Sequence, residues 1–140
     1  MREAYNIRIN SKKERKMQIS NFEMVGDFME AFGQEVLSEP TLPGFNLSAL
    51  RLDLITEEVQ ELQDALDNRN MLEIADALTD ILYVVYGAGH AFGIDLDDCF
   101  HEVHRSNMTK LGPNGRPLYR EDGKVLKGEN YEPPNLGQFI

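Results

Sequence analysis

The sequence predicts an all-α fold, an antiparallel four-helix bundle followed by an irregular C-terminal tail. Four segments between about Asn21 and Met108 repeat apolar residues at threes and fours. The connections between them are short, which favours antiparallel neighbours. No strand–helix alternation is present, and there is neither a Walker loop nor a GxGxxG turn. These absences exclude a doubly wound nucleotide-binding fold. At 140 residues, one domain is the default, with a core large enough to stand without disulfides.

The first helix is expected from about Asn21 to Leu37, with Phe22, Val25, Phe28, Met29 and Phe32 on one face. Pro40 and Pro43-Gly44 break it. The second starts near Asn46 or Ser48, either of which suits an N-cap, and runs to about Asp67. Its apolar stripe is Leu50, Leu54, Ile55, Val59, Leu62 and Leu66. The third follows Asn70 and reaches about Phe92, turning Ile74, Leu78, Ile81, Leu82 and Val85 inward, and Gly93 stops it. The fourth begins at the cap Asp95 and carries Leu96, Cys99, Phe100 and Val103 to about Met108. Beyond Leu111 the turn signals Gly112-Pro113-Asn114-Gly115 and Asp122-Gly123, then Pro133-Pro134, forbid a helix. Three regions result: a basic, mobile arm over 1–16, a helical domain over 17–110, and an extended tail over 111–140 that wraps the domain or a partner.

Charge is segregated along the chain. The formal net charge of −10 combines a 1–16 block with six bases and two acids, a Glu35–Glu102 block with fifteen acids and two bases, and a Val103–Lys127 block with six bases and two acids. The acidic balance argues against a nucleic-acid duplex or an anionic membrane as partner. The longest apolar stretch, Ile81–Ile94, is 14 residues and too short to span a bilayer. Residues 1–16 lack the apolar region of a secretory signal, and the single cysteine, Cys99, fits a reducing, cytoplasmic setting. The middle block is suited to cations and the one after it to anions.

The second helix contains Glu57-Glu58-Val59-Gln60-Glu61, and at 100° per residue the three glutamates share an arc of roughly 100° beside the apolar stripe. On the third, Glu73, Asp76 and Asp80 share a face in the same way. Antiparallel packing through the stripes lets the two acidic edges meet. Carboxylates brought together repel and raise one another's pKa values, a penalty that a divalent cation removes. All-oxygen ligation points to Mg²⁺, with Mn²⁺ as a possible substitute, rather than zinc. The plain alternative is a pair of solvated helix edges on a non-catalytic interaction or divalent-ion-binding module.

Glu57-Glu58-x-x-Glu61 followed by Glu73-x-x-Asp76 resembles the signature of the MazG-like all-α nucleoside triphosphate pyrophosphatases. Ala77-Leu-Thr-Asp80-Ile-Leu-Tyr-Val-Val-Tyr-Gly87, Glu102-Val-His-Arg-Ser-Asn107-Met-Thr-Lys110 and Arg120-Glu-Asp-Gly-Lys124-Val-Leu-Lys127-Gly are also similar to this family, the last to its dUTP-hydrolysing members. The resemblance covers about residues 20–135. It implies hydrolysis of a nucleoside triphosphate, with dUTP or another deoxynucleotide favoured, to the monophosphate and pyrophosphate. Such an activity fits nucleotide-pool housecleaning. Phosphoribosyl-ATP is the same-class alternative, disfavoured by the tail. By position, Glu58, Glu61, Glu73 and Asp76 correspond to Mg²⁺ ligands and Glu57 to the catalytic group that orients or deprotonates the attacking water. Arg105, Lys110, Lys124 and Lys127 are candidates for the β- and γ-phosphates. Asn107 is a candidate for a sugar or base edge or for capping the fourth helix, and Asp80 for the sugar or an outer water near the metal, if it is not simply an acid at the core edge. Tyr83 and Tyr86 could stack on a base, although aromatics at this spacing more often build core. The resemblance also implies a homodimer or a dimer of dimers, with helices of two subunits completing each site.

His101 and His104, at i and i+3, lack the further His or Cys ligands that a zinc site needs. Cys99 lies on an apolar stripe and reads as a small core residue.

Overall fold

The computed structural model describes residues 18–140; the basic arm assigned to 1–16 lies outside them. The chain folds as four α-helices: α1 (Asn21–Ala31), α2 (Phe45–Asp67), α3 (Met71–Phe92) and α4 (Leu96–Met108). A short 3₁₀ turn, Leu136–Phe139, follows near the C-terminus. Among the described residues no single helix is long and apolar enough to cross a membrane.

Helix α1 starts in a capping box, with the Ser20 hydroxyl accepting from the Glu23 amide and the Glu23 carboxylate accepting from the Ser20 amide. The Ser20 hydroxyl also donates to Asp97 in the first turn of α4, so one residue ties both helix starts together. Helix α1 ends at Ala31, six residues earlier than its periodicity suggests. Gly33 takes φ +70°, and the amides of Gly33 and Gln34 fold back on the Glu30 and Met29 carbonyls, closing the helix well before Pro40 is reached. The segment that follows is extended. It is held to the end of α3 by Leu37 N–H to His90 O (3.0 Å) and Thr41 N–H to Phe92 O (2.9 Å).

Helix α2 starts earlier than Asn46 or Ser48 would place it. Its N-cap is Gly44, which has no side chain to offer, and the Ser48 hydroxyl turns back onto the Gly44 carbonyl instead. Three residues, Asn68–Asn70, then reverse the chain into α3, which Asn70 caps through the Leu72 and Glu73 amides. The two helices run antiparallel. Ala65 lies by Ala77 near the loop, Glu58 and Glu61 by Asp80 further along, and Arg51 by Gly87 beyond that. Helix α1 also crosses α3 antiparallel, with Phe28 edge-on to Tyr83 and Phe22 stacked on His90 at 3.8 Å. The His90 Nε2–H donates to the Phe22 carbonyl (2.6 Å). Gly26 leaves the space this needs, since a Cβ there would lie 2.8 Å from the His90 ring.

Gly93 ends α3 in the left-handed conformation (φ +71°), and the chain bends by 114° into α4. Asp95 caps α4 through the Asp98 amide. The tail turns out at Gly112–Gly115 and again around Gly123, where Tyr119 and Val125 form one antiparallel bridge. It then returns along α4: Ser106 and Thr109 hydroxyls bond the Glu132 backbone, Arg105 pairs with Glu132, and the Asn135 amide donates to Glu102.

The core within one chain is small, centred on Val25, Met29 and Ala91. This corrects the inward stripes expected of the helices. Leu50, Val59 and Leu66 on α2 are about half exposed, as are Leu78 (50%) and Leu82 (52%) on α3, while Phe32 (70%) and Phe100 (71%) are largely bare. Two short helices, α1 and the oblique α4, cannot enclose the long amphipathic faces of α2 and α3, so much of both stays uncovered.

Candidate active site

The α2–α3 register, fixed by the three-residue turn, brings the acidic edges together. One carboxylate oxygen each from Glu58, Glu61 and Asp80 lies within 4.8 Å of the others. Toward the turn, a cleft of about 290 Å³ is lined by Glu61, Asp64, Glu73 and Asp76, with Ala65 and Ala77 as its apolar floor. Glu61 belongs to both groups. The small side chains of Ala65 and Ala77 let the helices approach, and both are buried.

Glu58 is the most perturbed acid of the set. Its Oε2 is buried without a hydrogen-bond partner among the described residues. Burial first, then the charges of Glu61 and Asp80, push its carboxyl above the usual carboxylate range. A buried, donor-less oxygen facing two further carboxylates is costly in a metal-free protein and is well placed for a cation. The residues therefore fit a divalent ion, with a purely oxygen donor set that suits Mg²⁺ or Mn²⁺.

The four residues matched to Mg²⁺ ligands, Glu58, Glu61, Glu73 and Asp76, thus occupy one continuous acidic face. Asp80, expected at the sugar or at an outer water near the metal, stands directly with Glu58 and Glu61. Asp64 joins the cleft although no motif singled it out; its spacing of one turn from Glu61 was the available signal. Glu57 is exposed next to Glu58.

The basic candidates are distributed differently. Arg105 is held by Glu102 (2.9 and 2.8 Å) and Glu132 (2.8 Å), which makes it an anchor of the returning tail. Lys127 sits over the Tyr131 ring at 4.6 Å. Lys110 and Lys124 carry no ion pair among the described residues, and Asn107 is exposed on the last turn of α4. Tyr83 and Tyr86 pack on Phe28 and Phe22, and both border an apolar groove of about 220 Å³ between α1 and α3. His101 and His104 are exposed, and neither belongs to a ligand cluster among the described residues.

A family model described as phosphoribosyl-ATP pyrophosphohydrolase matches residues 25–107, from the core of α1 to the end of α4. The chain belongs to this family. The phosphoribosyl-ATP pyrophosphohydrolase family is one of all-helical nucleotide pyrophosphohydrolases, and the matched span contains every carboxylate of the acidic face. The chain is also 38% identical over 120 residues to an uncharacterized protein of Acanthamoeba polyphaga mimivirus. That match covers 81% of this chain and 45% of the viral protein, so the chain spans about half the length of this curated relative. Among solved structures, a candidate NTP pyrophosphohydrolase from Exiguobacterium sp. 255-15 shares 24% identity over 84% of this chain and 90% of its own, with a TM-score of 0.43.

Proposed function

We propose that the protein hydrolyses a nucleoside triphosphate, with dUTP or another deoxynucleotide favoured, to the monophosphate and pyrophosphate, using Mg²⁺. The observation that carries this reading is the convergence of Glu58, Glu61 and Asp80 around a buried carboxylate oxygen that has no donor. Glu58 and Glu61 on α2, facing Glu73, Asp76 and Asp80 on α3, are the residues that would hold the ion. Bound there, Mg²⁺ offsets the negative charge of the phosphate oxygens, the main electrostatic barrier to attack on a polyphosphate.

The chain's own groups do the rest. Glu57, exposed beside Glu58, orients water and accepts its proton. The water oxygen bonds to the α-phosphorus, the bridging bond to the β-phosphate breaks, and its electrons leave with pyrophosphate. Lys110, just past the end of α4, and Lys124 and Lys127 on the tail meet the outer phosphates. The apolar groove beside Tyr83 and Tyr86 takes the base. A homodimer or dimer of dimers covers the bare faces of α2 and α3, because contiguous apolar surface of this kind marks an interface. A cytoplasmic location suits the free Cys99.

Phosphoribosyl-ATP is the second reading, favoured by the description of the matched family. The test is a panel of canonical ribo- and deoxynucleotides and phosphoribosyl-ATP, each with Mg²⁺, with pyrophosphate and orthophosphate separated. Pyrophosphate release fastest with dUTP or another deoxynucleotide supports the first reading. Fastest release from phosphoribosyl-ATP supports the second. No pyrophosphate from any of them, with melting unmoved by Mg²⁺, leaves a non-catalytic helical module.

A further inference from the structure

The contact between α2 and α3 continues beyond the carboxylates, to Arg51 and Gly87. Arg51 lies seven residues before Glu58 on α2, so it shares the same face two turns along, about 10 Å away. It is the single Lys or Arg on α2 and α3, which together carry nine carboxylates. Opposite it stands Gly87, where a Cβ would come within 2.9 Å of Arg51 Nη1. The guanidinium therefore lies against bare α3 backbone, with Met29 beside it.

This cation has no partner among the described residues. Its Nε is buried and makes no hydrogen bond, while the Nη nitrogens, also without protein acceptors, are not sealed in. Burial pushes the guanidinium below its ordinary pKa. No carboxylate among the described residues lies within ion-pair distance. If the site required only packing, an apolar side chain would fill it without the cost of an unmatched buried donor. A planar fork held at its stem and open at its tip is the form that binds an oxyanion through two parallel hydrogen bonds.

We propose that Arg51 is a phosphate-binding residue, a cation on the same α2 face as the carboxylate cluster and about two turns from it, and that it grips an outer phosphate of the bound polyphosphate. The inference rests on the proposed pyrophosphohydrolase reading. It assigns the outer-phosphate contact to the helix hairpin as well as to the tail, whose Arg105 is already engaged by Glu102 and Glu132.

Three proteins test it: wild type, Arg51→Met, which keeps the volume and removes the fork, and Gly87→Ala, which keeps the charge and displaces it. For the best nucleotide of the panel, both substitutions should raise KM, and the inhibition constant of inorganic pyrophosphate, by about ten- to hundredfold. Mn²⁺ binding and the sedimentation coefficient should stay those of wild type. In wild type, adding pyrophosphate should shift the Arg51 Nε–H resonance, a reading that needs no variant to fold. Unchanged KM and pyrophosphate inhibition in an Arg51→Met protein that still sediments as wild type would overturn the proposal. So would an Nε–H signal indifferent to saturating pyrophosphate, or an Arg51→Met protein whose sole defect is dissociation, which would give Arg51 to a second copy. Failure of wild type to hydrolyse any nucleotide would instead remove the enzymatic reading, and the pyrophosphate titration would still report on Arg51.

Discussion

Glu58 links sequence to chemistry at the smallest scale. Its carboxyl is raised above the usual range by burial and by Glu61 and Asp80, so the folded state disfavours its charged form. For a raised acid, the stability present below the unfolded pKa is lost as pH climbs through the folded value. Metal-free protein should therefore be less stable at neutral pH than just above pH 4.5, and Mg²⁺ should raise its melting temperature more at pH 7 than at pH 5. Calorimetry across that range checks this. Cys99 is also shifted upward, by burial and then by Asp95 and Asp98. Its thiolate fraction is small, so iodoacetamide at pH 8 should modify native protein at least about tenfold more slowly than urea-unfolded protein. The motif residues Glu58, Glu61, Glu73 and Asp76 could be read directly from spacing. Arg51 could not, because a lone base in an acidic helix looks like surface until the bare Gly87 backbone is seen against it.

Helices were legible where one residue decides their ends. Asn70, Gly93 and Asp95 cap and stop α3 and α4 through their own side-chain or backbone geometry. Helix α1 was not, because the apolar period continues past Gly33 while the backbone reverses there. The partnership of Asp80 with Glu58 was hidden for another reason. It depends on the register across α2 and α3, which the Asn68–Asn70 turn sets and no periodicity reveals. Gly93 carries a further consequence: a Cβ would fall 1.9 Å from the Glu39 carbonyl oxygen, on a left-handed backbone. Gly93→Ala should cost about 2–4 kcal/mol, measured by urea unfolding. The tail depends on Glu102, which Arg105 and then the Asn135 amide lower to a pKa of about 2. For a depressed acid, the contribution is present above the unfolded pKa and lost as pH falls from there through the folded value of about 2. Glu102→Gln at pH 7 should speed amide exchange at Glu132 and Asn135 severalfold while leaving α1 and α3 unchanged.

On the scale of the whole molecule, the helical stripes are complete but the single chain leaves much of them bare. Helical periodicity reports which faces are apolar and cannot report whether the same chain or another covers them. A second copy over α2 and α3 predicts that Leu78→Glu with Leu82→Glu lowers the sedimentation coefficient to that of a monomer. The net acidity follows the same logic, since much of it sits on two edges that the fold turns toward one another. The central claim is that this acidic face is a cation site for pyrophosphate-releasing hydrolysis. Its most direct test compares wild type, Glu58→Gln and Asp76→Asn on the best nucleotide, with Mg²⁺ and with chelator, by following pyrophosphate. Release should need the metal and fall at least about hundredfold in both variants while their helical content stays native. Equal release by all three proteins, or release undiminished by chelator, would contradict it.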